Sequence, residues 1–294
     1  MMQVLKTDGL SKRYGDYLAV NNVTMTINKG DIYGFIGENG AGKTTFIRLV
    51  SGLIKSNGGT FQLFEGENHN IGAVVETPSL YLYMTAMENL MAQGKMLGKV
   101  DVEKHKELLT LVKLEYLIDS KKRAKDFSLG MKQRLGIAMA LLAEPKFLLL
   151  DEPMNGLDPE GVVLMRNLIK TLNEQGITFL ISSHMLSELS KVATRYGFIH
   201  RGVLIKEITQ EELRQSVTSY TVVSVEEKDI NKALNVFKKA KYEYKEDGKN
   251  ILVYEKALQE IVLLLSKNNI EVKDILKETG TIENYYLNLI GGLK

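Results

Sequence analysis

The chain has 294 residues, 44% of them hydrophobic and 25% charged, with a formal net charge of +2 and no cysteine. That length suits one large domain plus a small one, and the composition is that of an ordinary globular protein. The near-zero charge provides no field aimed at nucleic acid or an anionic membrane, and the missing thiols exclude disulfides and thiolate metal sites.

The opening MMQVLKTDGLSKRYG has no apolar h-region, so a secretory signal is not expected. In residues 1–30, Val23, Met25 and Ile27 alternate with polar neighbours and predict an antiparallel strand with one buried face. GTFQLF at 59–64 reads likewise, so a β-subdomain is expected beside the core. Between them, the apolar run DIYGFI leads into GENGAGKTT at 37–45. Gly37, Gly40, Gly42, Lys43 and Thr44 fit the phosphate-loop spacing G-x-x-x-x-G-K-[ST], with Asn39, Ala41 and Thr45 in the same cradle. Glycines let successive N–H groups converge on phosphate oxygens, and a helix starting near Lys43 adds the positive end of its dipole. Phe46, Leu49, Val50 and Leu53 then recur at helical spacing. Lys43 is expected to reach the β- and γ-phosphates and the Thr44 hydroxyl to ligate Mg²⁺. The bland alternative is a glycine-rich turn that fits by chance. A strand before it and a helix after it argue against that.

From about 79 to 143 the patterns are mostly helical, with Leu108, Leu111 and Val112 among the apolar positions. The richest apolar window, LGIAMALLAEPKFLLL, is broken by Glu144, Pro145 and Lys146, so no membrane span is expected. Its end, FLLLDEP at 147–153, suits a strand buried on both faces of a parallel sheet. Asp151 falls at the carboxyl end, where open α/β sheets place ligand groups, and is expected to hold Mg²⁺. Glu152 is the candidate to orient or deprotonate an attacking water. Alone this stretch reads as a solvated strand end. With a phosphate loop upstream it reads as the second half of a P-loop NTPase site. PEGVVLMRNLIKTLNEQG at 159–176 predicts a helix opened by Pro159 and closed by Gly176, its stripe of Val162, Met165, Ile169 and Leu172 being core.

Beyond about residue 215 the chain turns Lys- and Glu-rich and carries no chemical motif. TSYTVVSV predicts a strand, Ala233, Phe237 and Ala240 a helix, and YEYKEDGKNILVY a hairpin with an Asp-Gly turn. Leu258, Ile261, Val262 and Leu265 mark another helix, followed by IEVKDIL as a strand. The order β-α-β-β-α-β is that of a ferredoxin-like unit, closed by a helix with Ile282, Tyr285, Tyr286 and Leu289. The expected layout is a nucleotide-binding domain over 1–212, with a mostly helical stretch at about 79–143, and an accessory α+β domain over 213–294. For the accessory domain, a packing or dimerisation module and a regulatory or sensing role both remain open.

FSLGMKQRLGIAMALL at 127–142 resembles the signature motif of ATP-binding cassette (ABC) ATPases. The order of phosphate loop, signature, FLLLDEP, NGLD at 155–158 and ISSH at 181–184 also matches that family. The resemblance spans roughly residues 3–206 and is strongest to the bacterial bacitracin/lantibiotic-resistance type. It implies an α/β fold: a mixed core sheet with flanking helices, an antiparallel β-subdomain and a helical subdomain. It further implies that Tyr14, in KRYG, stacks on adenine with Val20 nearby. By the same resemblance Ser128 and Gly130 contact the γ-phosphate of a nucleotide on another subunit. Asp158 links the two sites, and His184 contacts γ-phosphate while positioning Glu152 and water. ATP would then be sandwiched between two copies, or between this chain and a second ABC ATPase. Two departures stand out. Phe127-Ser128-Leu129-Gly130-Met131 replaces the usual LSGGQ, and Glu76 replaces the usual glutamine of the Q-loop. Glu76 is expected as a further ligand of Mg²⁺ or of its water, adding negative charge near the phosphates. The implied function is the ATP-hydrolysing subunit of a bacterial ABC transporter. It would export a peptide antibiotic through separate transmembrane permease subunits, from the inner face of the membrane, with no nucleic acid as partner. Rival readings are a non-transport switch on ribosomes or DNA, a low-turnover nucleotide sensor, and a P-loop kinase. Near-neutral charge, the pair Glu152 and His184, and the signature motif oppose them in turn.

Overall fold

The computed structural model describes residues 2–64, 70–216, 219–254, 256–279 and 282–291. The chain divides into two compact units, Met1–Gln210 and Glu211–Lys294.

The first unit contains two sheets. β1 (Gln3–Tyr14), β2 (Tyr17–Asn28) and β4 (Gly58–Leu63) form an antiparallel sheet in the order β2-β1-β4. Val23, Met25 and Ile27 supply its buried face. The six-stranded sheet runs β5 (Ile71–Val74), β6 (Phe147–Asp151), β7 (Thr178–Ser183), β3 (Ile32–Ile36), β8 (Arg195–His200), β9 (Val203–Thr209). Its first five strands are parallel and β9 is an antiparallel edge. Every residue of β3, β6 and β7 is buried, which is why apolar residues dominate all three, with Asp151 closing β6 and Ser182 and Ser183 closing β7. One core joins the sheets: Leu5, Leu10, Val23 and Met25 pack with Phe35, Phe46, Phe147 and Leu180.

The helix after the phosphate loop, α1 (Lys43–Val50), stops short of the expected stripe. Gly52 takes φ 76°, the Leu53 N–H bonds back to the Arg48 carbonyl at 2.9 Å, and the Gly52 N–H bonds to Leu49 at 3.0 Å. This is a Schellman ending. Leu53 therefore leaves the core and is 63% exposed.

The helical segment comprises α2 (Ala86–Met96), α3 (Val102–Leu111) and α4 (Leu129–Leu141). α2 opens on a capping box of Thr85 and Glu88, and Asp101 caps α3. The buried Arg134 of α4 donates to the carbonyls of Val112 and Lys113, pinning α4 to the end of α3, where a cation also complements the helix dipole. α5 (Pro159–Glu174) and α6 (Leu186–Leu189) complete the unit.

The second unit continues from α7 (Gln210–Ser216) through β10 (Ser219–Val225), α8 (Ile230–Lys239), β11 (Tyr244–Asp247), β12 (Asn250–Tyr254), α9 (Leu258–Lys267), β13 (Val272–Thr279) and α10 (Ile282–Gly291). Its antiparallel sheet has the order β11-β12-β10-β13, and Gly248 at φ 61° turns the hairpin. Val223, Ile251 and Val253 pack on Ala233, Phe237, Ile261 and Leu265. Thr218, read as the start of the first strand, lies outside the described residues. Among the described residues no helix is long and apolar enough to cross a membrane.

Candidate nucleotide site

The phosphate loop leaves the buried end of β3 and enters α1 through Gly42, whose φ is 107°. A Cβ at Gly42 would lie 2.2 Å from the Ala19 carbonyl, and one at Gly37 would lie 2.5 Å from that of Ile199. These two glycines answer crowding as well as handedness. The turn after β8 holds the loop in place: the Gly202 N–H donates to Ala41 at 2.9 Å, and the Gly202 carbonyl accepts from Asn21 at 2.8 Å. α1 has no side-chain cap and no acidic residue in its first turn, so its leading N–H groups are left for an anion. Asn39 and Gly40 lie on the exposed side of the loop, and Thr45 is half-buried behind it.

Lys43 is curled into this cradle. Its Nζ donates to the carbonyls of Gly37 at 2.7 Å and Glu38 at 3.1 Å, and stands 3.2 Å from Glu152 Oε1. The Thr44 hydroxyl donates to Asp151 Oδ2 at 2.8 Å. β6 and β7 run in register with Asp151 opposite Ser182, and the Ser182 hydroxyl donates to Asp151 Oδ1 at 2.5 Å. Glu152 takes a left-handed φ of 50°. Its Oε2 lies 2.9 Å from His184 Nδ1, whereas Oε1 is buried, without a hydrogen-bond partner, facing the Lys43 ammonium. Lys43, Thr44, Asp151, Glu152 and His184 thus meet at the carboxyl ends of neighbouring strands. An imidazole fixes one Glu152 oxygen and leaves the other without a hydrogen bond, which is a geometry suited to handling a water's proton.

Among the described residues no group of three His, Cys, Asp or Glu side chains is arranged to hold a metal. The Thr44 hydroxyl and Asp151 carboxylate nevertheless fit Mg²⁺, which prefers hard oxygens and takes its remaining ligands from water and phosphate. Glu76 does not join them. It sits at φ 58°, and its exposed carboxylate bonds Arg48 Nη2 at 2.9 Å.

Tyr14 is 46% exposed, with Lys12 Nζ 5.3 Å from its ring centroid. Val20, expected beside a base, is instead wholly buried in the core cluster and presents no surface to a ligand. Ser128 caps α4 by accepting from the Met131 N–H, and Asp158 caps α5 by accepting from Gly161 at 2.9 Å. A Cβ at Gly130 would meet only Leu157, at an ordinary 3.6 Å. Sequence reasoning missed Ser182 and Tyr17. Tyr17 pairs with Tyr14 at the end of the β1–β2 hairpin and donates its hydroxyl to the Gly40 carbonyl at 2.9 Å. The serines that end the apolar run of β7 were a signal for the first. A tyrosine at the start of a strand offered none for the second.

Beside the Q-loop lies a groove of about 400 Å³, lined by Leu53, Val75, Pro78, Leu80, Gln93 and Met139. Leu53, turned off α1 at Gly52, lies on its wall. Gly136 lets α4 approach Pro78 closely on the groove wall, since a Cβ there would lie 2.6 Å from the Pro78 side chain.

By fold and site this is a P-loop nucleotide hydrolase: the loop seats an anion, and the strand beside it supplies the carboxylates for cation and water. Residues 20–155 match the ABC transporter family. The bacitracin transport ATP-binding protein BcrA of Bacillus licheniformis is 41% identical over 308 aligned positions, covering 99% of each chain. The lantibiotic transport ATP-binding protein SrtF of Streptococcus pyogenes is 43% identical over 69% of this chain and 90% of its own. A solved ATP-binding cassette of an ABC transporter in its ADP conformation superposes with a TM-score of 0.64 at 29% identity, over 72% of this chain and 93% of that one. The chain belongs to the ABC transporter family, as an ATP-binding subunit that hydrolyses ATP.

Proposed function

We propose that this chain powers export of a peptide antibiotic of the bacitracin or lantibiotic kind, acting with separate permease subunits at the cytoplasmic face of the cell membrane. The observation that carries this reading is the full-length similarity to a bacitracin transport ATP-binding protein. Residues 1–212, with the helical subdomain at 79–143, form the ATPase domain, and 213–294 the accessory domain; the two compact units of the chain support that division. The groove beside the Q-loop is the seat for a permease helix, because it is lined by Val75 and Thr77, which flank Glu76, and by Gly136 and Met139 of the signature helix α4.

In turnover, Tyr14 stacks on adenine and the N–H groups from Gly40 to Thr45 cradle the phosphates. Lys43 exchanges the carbonyls of Gly37 and Glu38 for phosphate oxygens, which are stronger, charged acceptors. Thr44 and Asp151 would hold Mg²⁺, which would supply charge neutralisation at the phosphates. Freed from the ammonium, Glu152 Oε1 takes the water proton while His184 keeps Oε2 in place. Ser128 and the backbone at Gly130 close over the γ-phosphate bound to a second ABC ATPase subunit, and Asp158 lies at that junction. Cleavage removes the contacts made to the γ-phosphate, so the pair reopens.

The test is bacterial. Cells lacking this chain should be inhibited by lower concentrations of bacitracin or a lantibiotic. The wild-type gene should restore tolerance, and Glu152→Gln should not. Unchanged tolerance to both antibiotics in the deletion strain would overturn the assignment.

A further inference from the structure

Ser182 is a polar residue inside the site for which the functional reading has no use. It sits near the end of the wholly buried strand β7 and has no exposed surface. A hydroxyl taken out of water without partners is destabilising, so its bonds must be accounted for. Its Oγ donates to Asp151 Oδ1 at 2.5 Å and accepts from the Glu152 N–H at 3.0 Å. The Ser182 carbonyl shares that same N–H at 3.2 Å.

Both functional carboxylates are therefore set from one place. With Oδ1 held by Ser182, Asp151 is left with Oδ2 facing Thr44. Glu152 occupies a backbone region that residues with a Cβ enter at a cost, and its amide is held there by Ser182. From that pose its carboxylate meets both His184 and Lys43. Among the described residues the neighbouring Ser183 hydroxyl bonds only the Met185 N–H in the following turn, so the arrangement is particular to Ser182.

We propose that Ser182 is a positioning residue of the ATPase. Its one hydroxyl fixes the oxygen with which Asp151 meets Mg²⁺ and the backbone pose from which Glu152 meets water. This rests on the assignment of Asp151 to the cation and Glu152 to the water.

The test uses the full chain with Mn²⁺ as a paramagnetic stand-in for Mg²⁺, its binding to the protein–ADP complex followed by electron paramagnetic resonance. Ser182→Ala should weaken Mn²⁺ binding by about ten- to a hundredfold, the usual effect of removing a group that orients a metal ligand. ADP affinity in the presence of EDTA should stay at the wild-type value, and kcat should fall with KM for ATP little changed. Ser182→Thr, which keeps the hydroxyl, should regain Mn²⁺ affinity, and Ser183→Ala should bind Mn²⁺ as wild type does. If Ser182→Ala does not fold, Ser182→Cys, with its weaker donor, is read on the same scales. Wild-type Mn²⁺ affinity in the hydroxyl-less variant overturns the proposal. So does a loss of metal-free ADP binding in the same proportion, which would mark general damage. A wild-type protein whose Mn²⁺ affinity is indifferent to ADP overturns the cation assignment itself, and this inference with it.

Discussion

Glu76 and Arg48 meet across the surface between the Q-loop and α1, 2.9 Å apart and both partly in water. An exposed pair of this kind contributes about 0–1 kcal/mol to stability, so it does not hold the fold together. Its consequence is for the site: a carboxylate occupied by Arg48 must leave it before it can serve a cation. Glu76→Gln should therefore leave the melting temperature near wild type while shifting the Mg²⁺ concentration that gives half-maximal ATPase activity. Superimposable Mg²⁺ titrations of the two proteins would remove Glu76 from the cation's surroundings. Residues carried by a spaced motif, such as Lys43, Thr44 and Asp151, were legible from the sequence, because phosphate chemistry dictates both their type and their spacing. Val20 was not. An apolar residue near a base and an apolar residue in the core look alike until burial separates them.

At the scale of elements, the hairpin of β1 and β2 ends in two exposed tyrosines that face different tasks. Tyr14 presents its ring, whereas Tyr17 spends its hydroxyl on Gly40 and so ties the hairpin to the phosphate loop. A solvent-accessible hydrogen bond of this kind contributes about 0.5–1.5 kcal/mol. Tyr17→Phe should accordingly raise KM for ATP by roughly two- to tenfold, at 1.4 kcal/mol per tenfold, with kcat nearly unchanged. Steady-state kinetics decide the matter: a fall in kcat at constant KM would mean that the hydroxyl acts on chemistry and not on the loop. Hydrophobic periodicity located most helices and strands, but not where α1 stops. Leu53 continues the apolar spacing of Phe46, Leu49 and Val50, and only the left-handed turn at Gly52 takes it off the helix. Periodicity records which residues avoid water and carries no record of the backbone bonds that end a helix.

For the whole molecule, sheet order was the least readable feature. β3 lies between β7 and β8, partners more than a hundred residues away in sequence, and no local pattern specifies such pairings. The same topology gathers Lys43, Asp151, Glu152 and His184 at the carboxyl ends of neighbouring strands, and on the proposed mechanism they meet one side of the nucleotide. Ser128 is occupied within its own helix, and among the described residues no hydrogen bond joins it to the phosphate loop. On the proposed mechanism a second ABC ATPase subunit covers the other side, and association should then depend on the γ-phosphate. Glu152→Gln removes the proton acceptor while keeping the shape of the side chain. It should bind ATP, lose turnover by about a hundredfold or more, and accumulate as a dimer. With ATP and Mg²⁺, light scattering on a sizing column should show the 33.0 kDa species doubling in mass, and ADP should return it to monomer. A dimer that forms equally without nucleotide would instead assign association to another surface, the accessory domain being the first to test. A species that stays monomeric with ATP at every concentration would mean that the missing cover comes from a different ABC ATPase, and adding that chain would then be required to see the complex.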